Sequence, residues 1–194
     1  INGAVRRYVE YFTPFDFSRD LTSFHYVDSG LSYDGDATTS ITGLDHLEGE
    51  TVAVVGDGAA QVDKTIASGA ITIATASEEA RVGLLYSSDL QTMRLDEGYT
   101  ETTQTKTKRV YDLSVRFHDT VGASVGPGID DLTAIDFRDS SASMNLPIPL
   151  FTGDKFIEFD SDYGTEGLVY VQQPQALPMT ILGIYPRLET ESVG

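Results

Sequence analysis

At 194 residues the chain is long enough to bury a core without staples, and having no cysteine it uses neither disulfides nor thiolate metal sites. Thirty Asp and Glu against 13 Lys and Arg leave a formal net charge of −17, which argues against a protein that wraps phosphates, because such proteins set a basic patch against the backbone. No apolar run approaches the ~20 residues of a membrane-spanning helix, and a hydrophobic content of 40% sets the chain apart from disordered sequences. The acidity reads as a solubility device, or as a wall past which DNA slides without sticking. The chain opens on Ile1 with no initiator methionine or signal peptide, so it is read as a fragment of something longer.

From the N-terminus, residues 4–12 are rich in β-formers, with Val5, Tyr8 and Tyr11 among charges, which predicts a strand closed by Thr13-Pro14. The aromatics Phe15, Phe17, Phe24 and Tyr26 read as packing under a loop or at an interface. Residues 24–27 form a candidate short strand, Asp28-Ser29-Gly30 and residues 33–36 read as turns, and 38–42 as a strand.

The stretch 43–58, Gly-Leu-Asp-His-Leu-Glu-Gly-Glu-Thr-Val-Ala-Val-Val-Gly-Asp-Gly, carries the clearest local signal. A glycine-punctuated turn leads into the β-branched run 51–55, which stops at the tight-turn signal Gly56-Asp57-Gly58: a strand entering a hairpin. Segments 64–66 and 70–74 flank a second turn signal, Ser68-Gly69. The segment 41–83 is therefore expected to form a small β-barrel-like subdomain.

Strands are expected again at 80–85 and 90–95. The polar, threonine-rich stretch 96–108 predicts an exposed loop ending in the basic cluster Lys106, Lys108, Arg109, which reads as a solvated strand edge or as a contact for phosphate or an acidic partner. Residues 110–118 alternate, with Val110, Asp112, Ser114, Arg116 and His118 on one side and Tyr111, Leu113, Val115 and Phe117 on the other, which predicts a half-buried strand. Residues 122–128 should break regular structure, with 132–137 a strand and 140–149 a connector. Residues 151–154 read as a turn, 155–159 as a strand and 160–167 as a turn. A strand at 168–172, a bend at 174–178 and an apolar strand over 179–188 complete the chain, with Pro186 marking an edge or strand terminus.

No segment sustains helical periodicity, and residues 78–80 offer one helical turn at most. The expected fold is all-β with about ten to thirteen short strands. It is an antiparallel β-sandwich from residues 1–40 and 84–194, with 41–83 as the barrel-like insertion and little or no helix.

Candidate chemistry is sparse. Asp160, Asp162, Gly164 and Glu166 resemble a broken calcium loop without its later bidentate Glu, and a plain hairpin turn is the preferred reading; the same holds for Asp34 and Asp36. His25, His46 and His118 are scattered away from zinc-ligand spacing and read as local hydrogen-bonders, His46 to the backbone of its turn. There is no Gly-x-Ser-x-Gly elbow, and Gly56-Asp57-Gly58 follows a strand without opening a helix, so no phosphate cradle is read there. The chain is read as no enzyme, with no catalytic, cofactor-binding or metal residue assigned.

Several segments nevertheless resemble a known family: 1–10 (Ile-Asn-Gly-Ala-Val-Arg-Arg-Tyr-Val-Glu), 27–33, 43–52 with Gly56-Asp57-Gly58, 82–86, 105–110, 149–155 and 173–182. Together they look like the C-terminal module of large tailed-phage tail proteins of the nozzle or tail tubular type. Two departures stand out: Gly56 where the related pattern has alanine, and Asp160-Ser-Asp-Tyr163 in place of a glycine-rich turn. The resemblance implies a virion protein following a β-propeller-like region. Copies of it, a hexamer in the short-tailed case, would form a ring with other tail proteins around the channel through which DNA leaves, and DNA would be met only in passage. On that expectation edge strands and Phe15, Phe17 and Phe24 meet a neighbouring subunit. The alternative is a carbohydrate-recognising adhesion module of a tail hub or fibre, stacking Tyr33, Tyr86, Tyr99 and Tyr163 on sugar rings; a glycan hydrolase is a weaker third.

Overall fold

The computed structural model of the chain describes residues 5, 7, 9–10, 19–96, 102–143, 146–159 and 161–191. Eleven strands and one 3-10 turn make up the regular structure among them. The expected strand over 4–12 lies largely outside the described residues; Val5, Arg7, Val9 and Glu10, which are described, belong to no strand. Two compact units are present. The first comprises Ile1–Tyr86, Arg138–Pro149 and Gln175–Pro178, and the second Ser87–Phe137, Leu150–Pro174 and Met179–Gly194.

In the first unit, β1 (Asp28–Thr42), the 3-10 turn Asp45–Leu47, β2 (Thr51–Gly56), β3 (Ala59–Thr65) and β4 (Ala70–Leu84) follow in order. The strands make one antiparallel sheet, β1-β4-β2-β3. Both predicted hairpin turns form. Gly56 pairs with Ala59 across Asp57-Gly58, and Ala67 bridges Ala70 across Ser68-Gly69. All four turn residues have positive φ, 46° and 77° then 56° and 67°, the two-residue geometry whose twist matches paired strands.

β2 lies between β4 and β3, and its Val52, Ala53, Val54 and Val55 are all buried. Of these, Val52 and Val54 pack into a core with Ile41, Leu44, Leu47, Ile66, Ile71, Ile73 and Val82. Each such side chain contributes roughly 1.5–3 kcal/mol when fully removed from water.

The sheet is open, with β1 and β3 at its edges, where a barrel-like insertion was expected. β1 also runs straight through the expected turns at 28–30 and 33–36. Register shifts between Asp28 and Leu31 and between Asp34 and Thr38 absorb the irregular residues while the pairing to β4 continues from Leu84 to Ala70. Thus β1 shares a sheet with the strands of 41–83, although residue 40 was the expected boundary.

The second unit holds two antiparallel sheets. β5 (Ser88–Gln91), β10 (Tyr170–Gln173), β7 (Ser124–Gly128) and β8 (Asp131–Ala134) form one sheet in that order. β11 (Ile181–Glu191), β6 (Thr107–Thr120) and β9 (Phe151–Glu158) form the other. Two expected breaks are strands. Residues 124–128 lack β-propensity but pair with β10 on one side and β8 on the other, and 151–154 extend the ladder opposite Arg116 and Phe117. Tertiary pairing overrides local preference in both cases. Pro186 does mark an edge: β11 is the outer strand.

β6 carries a further departure. Leu113, Val115 and Phe117 are buried as the alternation predicts, yet Val110 is buried too and Tyr111 is 46% exposed. In the pairing with β11, Asp112 opposes Arg187 but Val110 opposes Leu188, so Tyr111 is an extra residue and the buried row changes from odd to even positions. Phe117 meets Phe137 edge-on with ring centroids 5.3 Å apart, and Phe137 meets Phe151 at 5.9 Å. The Lys155 ammonium closes this aromatic cluster, 4.6 Å from the Phe151 centroid and donating to the Asp136 carbonyl at 2.7 Å.

Candidate interaction surface

The outward face of the β11-β6-β9 sheet gathers the most distinctive exposed chemistry of the second unit. Period-two alternation turns Leu113, Val115, Phe117, Lys155 and Ile157 inward and leaves the intervening residues outward. Three cross-strand rows result: Gly183–Arg116–Asp154, Tyr185–Ser114–Phe156 and Arg187–Asp112–Glu158. The central row places two aromatic side chains on either side of a serine. Phe156 is 78% exposed, Tyr185 51%, and Leu182, at the adjoining register shift, 60%.

Ion pairs hold the flanking rows. Arg116 grips Asp154 with both arms of its guanidinium, Nε to Oδ1 at 2.7 Å and Nη2 to Oδ2 at 2.9 Å. The hydrogen bonds from Arg116 hold the Asp154 carboxyl below the usual carboxylate range, and those to Asp154 raise the guanidinium further. The same guanidinium lies 5.6 Å from the Tyr185 ring centroid. On the far side, Arg187 Nη1 donates to Asp112 Oδ2 at 3.1 Å.

The residues singled out from sequence do not converge here or elsewhere. Asp34 and Asp36 are exposed on β1, where the Tyr33 hydroxyl donates to the Asp36 carbonyl at 2.7 Å. Asp160 lies outside the described residues, Asp162 is exposed, and Glu166 is engaged by Arg94. The residue that acts in this segment is Ser161. Its buried hydroxyl accepts from Val110 N–H and donates to Val110 C=O, both at 2.9 Å, and Gly164 then bridges Lys108.

The basic cluster is not a solvated edge. Lys108 is 1% exposed, its ammonium donates to the Leu95 carbonyl at 2.8 Å, and its stem packs against Gly167. Strand alternation turned it inward. Arg109 lies over the Tyr163 ring at 5.9 Å.

The histidines are separate. His46 Nε2 sits 2.8 Å from the Ser29 carbonyl of β1, not its own turn, and His118 Nε2 lies 3.5 Å from Asp119. His25 is half-buried against Gly30, and burial, with Arg81 second, depresses its pKa. Among the described residues no three His, Asp or Glu side chains gather as a metal site.

Of the tyrosines proposed as a sugar platform, Tyr33 and Tyr86 belong to the first unit and Tyr163 to the second, where its hydroxyl donates to Glu189 at 2.9 Å. Tyr99, Phe15 and Phe17 lie outside the described residues; Phe24 is half-buried beside Tyr26, with centroids 5.7 Å apart.

The alternation in β6 already places Arg116, Ser114 and Asp112 on its outer side. Their partners Asp154, Phe156, Tyr185 and Arg187 are supplied by pairing between distant segments, which leaves no local signal.

No protein-family model matches the chain, and no curated protein matches it.

Proposed function

We propose that the chain is a structural virion protein, a module of a phage tail nozzle or tail tube component that forms part of the ring around the DNA ejection channel. The observation that carries this reading is the outward face of β11-β6-β9. Aromatic side chains at its centre and charges already tied into ion pairs at its flanks match the anatomy of a protein interface, in which charges are depleted at the core and aromatics and arginine enriched.

The segments of family resemblance support the reading through the structural work they do. Residues 43–58 make the 3-10 turn, β2 and the hairpin turn, and 149–155 lead into β9. Such positions preserve an architecture and not a reactive centre. Stability comes from packing and hydrogen-bonded turns, which suits a particle component used outside a cell. In the assembled ring the excess carboxylates face the lumen and keep DNA from adhering.

Cryo-electron microscopy of the purified particle tests the proposal. Density accommodating these two units should repeat around the tail axis with carboxylates toward the channel. Density elsewhere in the particle, or carboxylates confined to the outer surface, would overturn it.

A further inference from the structure

We infer that residues 19–27 are a strap seated in a glycine-lined track of the first unit, and that protonation of His25 releases it.

Residues 24–27, where a short strand was expected, are irregular, and 21–23 form a turn. With no ladder of its own, the segment is held by its side chains, and three glycines on three different elements leave room for them. A methyl group added at Gly58, in the turn between β2 and β3, would stand 2.5 Å from Leu21 Cβ. One added at Gly30 of β1 would stand 2.7 Å from both His25 Cε1 and Val27 Cγ2, and closer still to His25 Nε2. At Gly83 of β4 it would stand 2.8 Å from the same Val27 methyl. Carbon atoms in contact rest ~3.5–4.0 Å apart, so a side chain at any of these positions would displace the strap. The turn at Gly58 calls for glycine by its positive φ of 77°, whereas Gly30 has no such backbone need and its bare Cα serves as the seat.

Leu21 and Val27 carry no titratable group, which leaves His25 as the latch. Its ring is half-buried with Nε2 turned onto Gly30. From β4 the charge that acts on it is the like charge of Arg81, itself bonded to Glu79 Oε2 at 3.4 Å. From β1 it meets Gly30, which carries none. The carboxylates nearby act elsewhere: Asp28 on Tyr86, which in turn acts on Tyr26 of the strap, and Glu10 as acceptor of the Ser29 hydroxyl at 2.7 Å. A proton on the seated ring therefore loses water and stands beside a guanidinium. His46 differs, because its Nε2 sits 2.8 Å from the Ser29 carbonyl, an acceptor that a protonated ring keeps. Burial first and Arg81 second hold the His25 pKa below 6.5, so the released ring binds a proton more readily than the seated one. Seating is intact above pH 6.5 and weakens as pH falls from there through the lower seated value, by up to about tenfold per pH unit.

The chain has no cysteine, so one introduced thiol reports on the strap. Val27→Cys places it at a position only 6% exposed. Its labelling by 4,4′-dithiodipyridine, divided by the rate in the urea-unfolded chain at the same pH, measures release between about pH 7.5 and about pH 5. Protection should fall at least about threefold on acidification, with an unchanged far-ultraviolet circular dichroism spectrum. His25→Gln in the same background should make protection independent of pH, and Gly30→Ala should abolish it at both. Protection that acid leaves unchanged, an acid loss that persists in His25→Gln, or protection retained in Gly30→Ala would each overturn the inference. In the unsubstituted chain, NMR provides a second reading: the Leu21 and Val27 methyl resonances should move to random-coil positions with the midpoint of the His25 ring. Methyls that hold their positions while the ring titrates would also overturn it.

Discussion

Ser161→Ala isolates a hydroxyl that substitutes for a strand. β9 ends its ladder on β6 at Glu158, opposite Asp112, and the next backbone bridge on that side of β6 is Gly164 with Lys108. Between them Val110 is fully buried, and both its N–H and its C=O are bonded by the Ser161 hydroxyl. Removing that oxygen deletes two hydrogen bonds worth about 1 kcal/mol each and strands two buried backbone groups. The expected loss is about 2–4 kcal/mol, a large share of a typical domain stability of about 5–15 kcal/mol. Urea unfolding followed by far-ultraviolet circular dichroism measures it, because the chain has no tryptophan to report by fluorescence. Hydrogen exchange at the Val110 amide should accelerate in the variant. Asp162→Ala, at the exposed neighbouring position, should stay within about 0.5 kcal/mol of the parent. A Ser161→Ala loss below about 0.5 kcal/mol with Val110 protection unchanged would refute the reasoning.

Gly56→Ala, which restores the residue of the resembled pattern, places a methyl group 2.3 Å from Ser77 Oγ and 2.6 Å from Gln61 Nε2. It should cost about 1–3 kcal/mol by displacing the Gln61 amide, which pairs with Thr75 N–H and C=O as a neighbouring strand would; thermal melts of the single variant check it. Glu48 accepts the N–H groups of Ser68 and Gly69 at 2.9 and 2.7 Å, and those bonds hold its pKa below the ordinary 4.5. A depressed carboxyl contributes stability that is present above the unfolded value and lost as pH falls through the folded one, so Glu48→Gln should be less stable near neutrality and flatten the decline below pH 4.5 in acid titrations followed by circular dichroism. Burial first and Arg81 second lower the His25 pKa from its ordinary 6.5. Its contribution is present above its unfolded value of 6.5 and is lost as pH falls through the lower folded value; a ring titrating at or above 6.5 by NMR would contradict the burial.

Local chemistry was enough to specify the turns at Asp57-Gly58 and Ser68-Gly69, the inward row Leu113, Val115 and Phe117, and the all-β class. Each depends on a backbone preference or a period of two that a few adjacent residues express. Tertiary structure decided what depends on distant partners. β1 pairs along β4, 124–128 becomes a strand between two others, and Tyr111 slips out of register and changes which side of β6 is buried. Lys108 is turned inward, and a serine, not the carboxylates around it, completes the ladder at Val110. The candidate face lies at the far end of the same scale. Phe156 and Tyr185 are 29 positions apart in the chain, and only their shared pairing with Ser114 sets them in one row, because side-chain direction is a local property whereas strand partnership is a property of the whole chain.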